Sequence, residues 1–151
     1  MTAASFGSFT ISRLLKASPE RVFAAWTTPE GKQAWFAAPN PDWQAVERTF
    51  DFRVGGNEVL AGKWPSGLVT RFDCTYRDIV PNQRVVYVYD MWMDDRKISV
   101  SLATIDIRAE GDGTRMVVTE QGAFLDGYED EGSRERGTNL LMDQLEQSLL
   151  R

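Results

Sequence analysis

The chain of 151 residues contains no histidine. A serine–histidine–aspartate relay, an imidazole proton shuttle and nearly every protein zinc site are thereby removed. Acid–base chemistry would have to rest on carboxylates with raised pKa, assisted by tyrosine or serine hydroxyls. Alternation along the strands selects which ones. Met116, Val118 and Glu120 fall on one face of a segment, with Arg115, Val117 and Thr119 on the other. Glu58 is in parity with Leu60, Gly62 and Trp64; Tyr87 and Tyr89 share a face; Ser99 and Ser101 run in parity with Ala103, Ile105 and Ile107. Two readings of Glu58 and Glu120 stand side by side. In one they are paired interior carboxylates, either with one protonated as a general acid or with both binding a cationic group. In the other each meets an arginine, Arg48, Arg53 or Arg71, near the rim of a sheet, because an unpaired buried carboxylate costs several kcal/mol. A carboxylate-only site for magnesium or calcium stays open, but no segment has the spacing of a calcium loop and no Gly-Lys-Ser/Thr phosphate loop exists, so no metal and no cofactor are expected.

These groups need elements to position them. The organising one comes last. Over residues 133–150, Gly137, Thr138, Leu141, Met142, Leu145 and Leu149 recur at three and four residues, the stripe of an amphipathic helix. Its start is small and its end is leucine-rich, so Gly137 and Thr138 would leave space against whatever the helix covers. Residues 9–15 alternate as a first strand. Ser18-Pro19-Glu20 and Thr28-Pro29-Glu30 each give a capping hydroxyl, a proline for the first helical position and an acid for the positive dipole end. They predict two short helices, the second carrying Trp35 and Phe36. From Trp43 onward the period is two, with Val46, Arg48, Phe50, Phe52 and Val54 expected on one face. Further strands are predicted over residues 57–64, 68–80, 84–92, 98–108 and 115–121. The parity of residues 68–80 changes between Tyr76 and Ile79, which predicts a bulge. Gly111-Asp112-Gly113 is a strong hairpin signal. Residues 122–132 read as a looser link, with an acidic cluster at Glu129–Glu131 suited to the start of a helix. Short connections make the sheet antiparallel, and the last helix is its cover.

Composition bounds the rest. One domain over residues 1–151 is expected, with a real core: 42% of residues are apolar, including five Trp and eight Phe. A net charge of −5 and a pI near 4.8 argue against a nucleic-acid or anionic-membrane surface. No apolar run approaches the roughly 18 residues of a membrane span. Residues 1–9 have neither the basic flank nor the apolar stretch of a signal peptide, so a cytoplasmic location is expected. The lone Cys74 excludes an internal disulfide and reads as a packing residue.

Four stretches carry a family resemblance: residues 15–27 (LKASPERVFAAWT), 51–56 (DFRVGG), 79–87 (IVPNQRVVY) and 113–121 (GTRMVVTEQ). The chain resembles the START-related helix-grip superfamily often labelled SRPBCC, within it the activator-of-heat-shock-ATPase-like (polyketide cyclase/dehydrase-like) branch. The resemblance implies an α+β helix-grip fold: a curved seven-stranded antiparallel sheet, two short helices after the first strand, and a long C-terminal helix across the sheet. It also implies a cavity between sheet and helix. The residues expected to line it are Trp35, Trp43, Glu58, Tyr87, Tyr89, Ser99, Ser101, Glu120, Gly137 and Leu141, with Trp35, Phe36 and Trp43 at the mouth and Asp126 and Tyr128 near it.

Three function classes follow. A binding module would hold a small hydrophobic or amphipathic molecule in that cavity. An enzyme of cyclase, hydratase or hydrolase type would use Glu58 or Glu120 with a tyrosine. A co-chaperone-like interaction module is the third, although the co-chaperones that name the branch resemble the chain over one domain only. Val100 and Leu102, on the face opposite Ser99 and Ser101, offer a surface for a homodimer.

Overall fold

Turn residues set out the sheet. Asn82, Asp94 and Gly111 sit at successive hairpin tips with φ of 63°, 52° and 57°, the left-handed region that Asn, Asp and Gly tolerate best. In this computed structural model, which describes residues 3–151, the strands are β1 (Ala4–Leu15), β2 (Gln44–Phe50), β3 (Asn57–Lys63), β4 (Val69–Val80), β5 (Arg84–Met93), β6 (Arg96–Glu110) and β7 (Gly113–Leu125), and these three turns join β4 through β7. Residues 1 and 2, the beginning of the segment read as unlike a signal peptide, lie outside the described residues. The seven strands form one antiparallel sheet in the order β1-β7-β6-β5-β4-β3-β2. Between β1 and β2 come α1 (Pro19–Thr27) and α2 (Pro29–Gln33), and the chain closes with α3 (Ser133–Leu149). This is the α+β helix-grip architecture expected from the sequence.

Both short helices start as their sequences dictate. Ser18 Oγ accepts from the Arg21 amide at 3.2 Å, and Thr28 Oγ1 accepts from the Gly31 amide at 3.0 Å. At α3 the N-cap is Gly132, in the left-handed region, and the cap is supplied from two residues upstream: Asp130 accepts from the amides of Gly132 and Arg134. The acidic cluster before this helix therefore has a local role. Thr138, Met142, Leu145 and Leu149 of α3 are buried against the sheet, Leu141 is half-buried, and Gly137 faces open space. The C-terminal half is tied down: Gln144 donates to the carbonyls of Trp35 and Ala37, Arg21 donates to the Leu149 carbonyl, and Arg13 bonds Asp143 at 2.7 Å. Burying each aliphatic residue of the stripe contributes about 1.5–3 kcal/mol.

Four local expectations differ from what is seen. Strands β1, β6 and β7 are longer than the alternation suggested, and residues 122–125 continue β7 instead of starting a loop. The second helix ends at Gln33, so Trp35 and Phe36 belong to the turn after it. Val46 is the unpaired residue where the β2 register shifts between Ala45 and Glu47, so it points to water. Val54 lies beyond the end of β2 and is exposed, while Phe50 and Phe52 pack against the core. The predicted bulge in β4 is present, as a register shift between Tyr76 and Asp78.

Candidate functional site

Between the inner face of the sheet and the N-terminal half of α3 lies a hollow of about 470 Å³ that opens to solvent. Its existence follows from which residues fail to fill it. Leu145 and Leu149 close the far end of α3 onto the sheet, whereas Gly137 has nothing within 4 Å of where a Cβ would stand. Trp35, Phe36 and Trp43 wall one side, Phe72, Tyr87 and Tyr89 form the floor, and Gly137 and Leu141 form the roof. Wall and floor form one aromatic array, with Phe36 edge-to-face on Phe72 at a centroid distance of 5.0 Å and Phe72 tilted against Tyr89 at 4.9 Å. Trp43 reaches its place because Gly62 has no side chain: a Cβ there would stand 2.0 Å from the indole ring.

Two polar clusters adjoin the hollow. The first centres on Glu58 of β3. Lys32 of α2 places Nζ 2.8 Å from Glu58 Oε1, and the Tyr76 hydroxyl donates to the same oxygen. Lys32 and Glu58 are 3% and 2% exposed, so this is an ion pair out of water. The rings of Trp26, Trp35, Phe36 and Phe50 surround Nζ at 4.6–5.7 Å. Lys32 lines the hollow; Glu58 stands behind it. Burial, then the charge of Glu58, pushes the Tyr76 hydroxyl well above its ordinary pKa, and the same two causes push the Cys74 thiol up to about 12. Tyr76 is therefore a proton-bearing donor, and Cys74 an inert packing group.

The second cluster centres on Glu120 of β7. Tyr89 donates to Glu120 Oε1 at 2.5 Å. Arg134, in the first turn of α3, donates to Tyr89, Ser101 and Ser99 at 3.1, 3.2 and 2.8 Å, and stacks over the rings of Tyr89 and Phe124. Gly122 keeps this corner open, since a Cβ there would come within 2.9 Å of Ser101 Oγ. Burial raises the Glu120 carboxyl pKa, with the Tyr89 hydrogen bond and the Arg134 charge opposing. Burial, followed by the charge of Glu120, raises Tyr87 and Tyr89. Both phenols remain neutral hydrogen-bond donors near neutral pH.

The structure brings most of the nominated residues to one place and separates others. Trp35, Trp43, Tyr87, Tyr89, Glu120, Gly137 and Leu141 line the hollow, as does Tyr128. Ser99 and Ser101 are buried behind Arg134. Asp126 is a turn residue with φ of 53°. Glu58 and Glu120 do not form a pair: each has its own tyrosine and its own nearby cation. Nor do they meet the expected arginines at a rim. Arg48 donates to the Phe36 carbonyl, Arg53 pairs with Asp51, and Arg71 pairs with Glu47 and Asp73. The physical reason is position: both Glu side chains point into the core, where their tyrosine partners come from neighbouring strands and their cations from helices, Lys32 from α2 and Arg134 from α3. Alternation could not show Lys32, because α2 is one turn long and has no periodicity. Arg134 was within reach, since it extends the stripe of Gly137, Thr138 and Leu141 one turn backward. Val100 and Leu102 do lie on the outer face, Val100 half-buried and Leu102 39% exposed.

A family model described as Activator of Hsp90 ATPase homolog 1-like protein matches residues 16–149. The chain belongs to this family. Among solved structures, that of an uncharacterized protein from Rhizobium leguminosarum is 45% identical and superposes with a TM-score of 0.95, covering 100% of this chain and 99% of that one. A protein from Rhizobium loti is 39% identical with a TM-score of 0.90, covering 97% and 99%. A protein from Chromobacterium violaceum, 24% identical with a TM-score of 0.76 over 94% and 96%, shares the fold. No curated protein matches the chain. Among the described residues no helix is long and apolar enough to cross a membrane, and no group of three or more acidic or cysteine residues is placed to hold a metal ion.

Proposed function

We propose that this family member binds a small hydrophobic or amphipathic molecule in the hollow between the sheet and α3. The observation that carries the reading is the lining itself: a space of about 470 Å³ walled by Trp35, Phe36, Trp43, Phe72, Tyr87, Tyr89 and Leu141, with charged groups confined to Lys32 and to the corner of Glu120, Asp130 and Arg134. That division suits a ligand whose apolar body displaces water from the rings while one polar group meets a fixed partner. The remaining expected residues act at one remove. Glu58 holds Lys32, and Ser99 and Ser101 hold Arg134.

Intrinsic tryptophan fluorescence titrated with a panel of apolar ligands tests the reading, since four of the five tryptophans line the hollow. Saturable quenching or a spectral shift with at least one ligand is the expected result; a spectrum unchanged across fatty acids, sterols and fused-ring aromatics would end the proposal. Acid catalysis is a second reading, favoured by the raised pKa of the Glu120 carboxyl beside the Tyr89 hydroxyl. It requires that Glu120→Gln bind ligand normally and turn over none.

A further inference from the structure

The Lys32–Glu58–Tyr76 cluster is more than a support for the wall. We infer that Lys32 is a reactive amine that condenses with an aldehyde or ketone held in the hollow, a step that rests on the small-molecule reading above. Three features converge on Nζ. Its residue, Lys32, lines the hollow on a side chain otherwise shut away from water. A carboxylate stands 2.8 Å from it, close enough to take and return a proton. The Tyr76 hydroxyl, donating to that same oxygen, fixes the carboxylate in place.

The reaction balances within these groups. The Lys32 ammonium passes one proton to Glu58. The freed nitrogen lone pair forms a bond to the carbonyl carbon, and the carbonyl π pair moves onto oxygen. A second proton moves from nitrogen to that oxygen, giving a neutral carbinolamine. Glu58 then returns its proton to the hydroxyl, the carbon–oxygen bond breaks, and water leaves. The product is an iminium in which Nζ keeps one hydrogen. In sum, ammonium plus carbonyl gives iminium plus water.

Charge is the reason this site suits the step. Ammonium and iminium both place a unit positive charge at Nζ, so the carboxylate and the four surrounding rings, at 4.6–5.7 Å, stabilise the product as they do the reactant. The other lysines lack this setting. Lys16 and Lys63 are exposed, and Lys97 is a partly exposed partner of Asp90.

The test uses the folded wild-type chain with 2-naphthaldehyde and cyanoborohydride, which reduces an iminium to a stable secondary amine, followed by peptide mapping. Labelling of Lys32 at least about tenfold faster than of Lys16, Lys63 and Lys97 is expected, the advantage of a nitrogen held against a bound carbonyl. 2-Methylnaphthalene, which has no carbonyl, should slow labelling of Lys32 and leave the other lysines unaffected. Glu58→Gln, with its fold checked by circular dichroism, should slow trapping at Lys32 because an amide cannot carry the proton. Label spread evenly over the lysines, or absent from Lys32, overturns the inference. If 2-methylnaphthalene still binds by tryptophan fluorescence in that case, the small-molecule reading survives alone; if it does not bind, both fall.

Discussion

Removing one charge of the buried pair should be far more damaging than removing both. Lys32→Met leaves the Glu58 carboxylate, 2% exposed, with the Tyr76 hydroxyl as its remaining partner. Stranding a buried charge in this way costs about 3–5 kcal/mol, against a total stability on the order of 5–15 kcal/mol for a domain. Glu58→Gln alone strands the ammonium, but four rings still face it, so the loss should be smaller, about 2–3 kcal/mol. The double variant Lys32→Met/Glu58→Gln holds no uncompensated charge and should lie within about 2 kcal/mol of wild type, a coupling of roughly 3 kcal/mol or more. Urea unfolding followed by tryptophan fluorescence measures all four proteins, with an unchanged m-value confirming that the same surface is exposed in each. By contrast, Arg53→Ala should be nearly silent, because Arg53 and Asp51 are exposed. A Lys32→Met protein within about 1 kcal/mol of wild type, or a double variant as unstable as the sum of the singles, would refute the reading of this pair as desolvated and coupled.

Two further outcomes follow from the geometry. Gly137 lies mid-helix with open space where its side chain would be, so Gly137→Ala should stabilise by about 1 kcal/mol and raise Tm by about 2–4 °C in calorimetry, while Gly137→Phe should fill the roof of the hollow and weaken binding of a fluorescent apolar probe by about tenfold or more. Destabilisation by Ala, or unchanged affinity with Phe, would contradict the open roof. The pKa of Glu120 in the folded protein lies above its ordinary value of 4.5, so its contribution to stability is present below that value and is lost as pH rises through the folded pKa. Glu120→Gln does not ionise and should gain stability relative to wild type as pH increases from 4.5 upward in paired urea titrations; a difference that is flat with pH would contradict it.

Much of the architecture was legible because it rests on local chemistry. Paired Ser/Thr-Pro-Glu caps, left-handed turn residues and a three-four stripe each specify their own element, and the resemblance ordered them into a helix grip. Face assignments in the central strands held for Met116, Val118 and Glu120 and for Ser99, Ser101, Ala103, Ile105 and Ile107, because alternation is rigid where no bulge intervenes. The same rule failed at Val46, where one extra residue reverses the faces. The site was legible only in part. Which carboxylate meets which cation is a long-range fact: Lys32 and Glu58 are brought together by the way α2 folds back onto β3, and no spacing along the chain encodes that. The arginines nominated as partners were near in sequence or parity, yet their own neighbours, Asp51, Glu47 and the Phe36 carbonyl, were nearer in space.

The indole N–H signals of the five tryptophans offer the most direct test of a ligand in the hollow. Trp26, Trp35, Trp43 and Trp64 line it, whereas Trp92 stands outside it beside Lys97 and serves as the internal control. In a nitrogen–proton correlation spectrum recorded during titration with a ligand found by fluorescence, the four lining indoles should shift saturably and Trp92 should stay in place. Shifts confined to Trp92, or no shift at any lining tryptophan while the ligand binds, would place the ligand elsewhere and contradict the assignment of the hollow as the binding site.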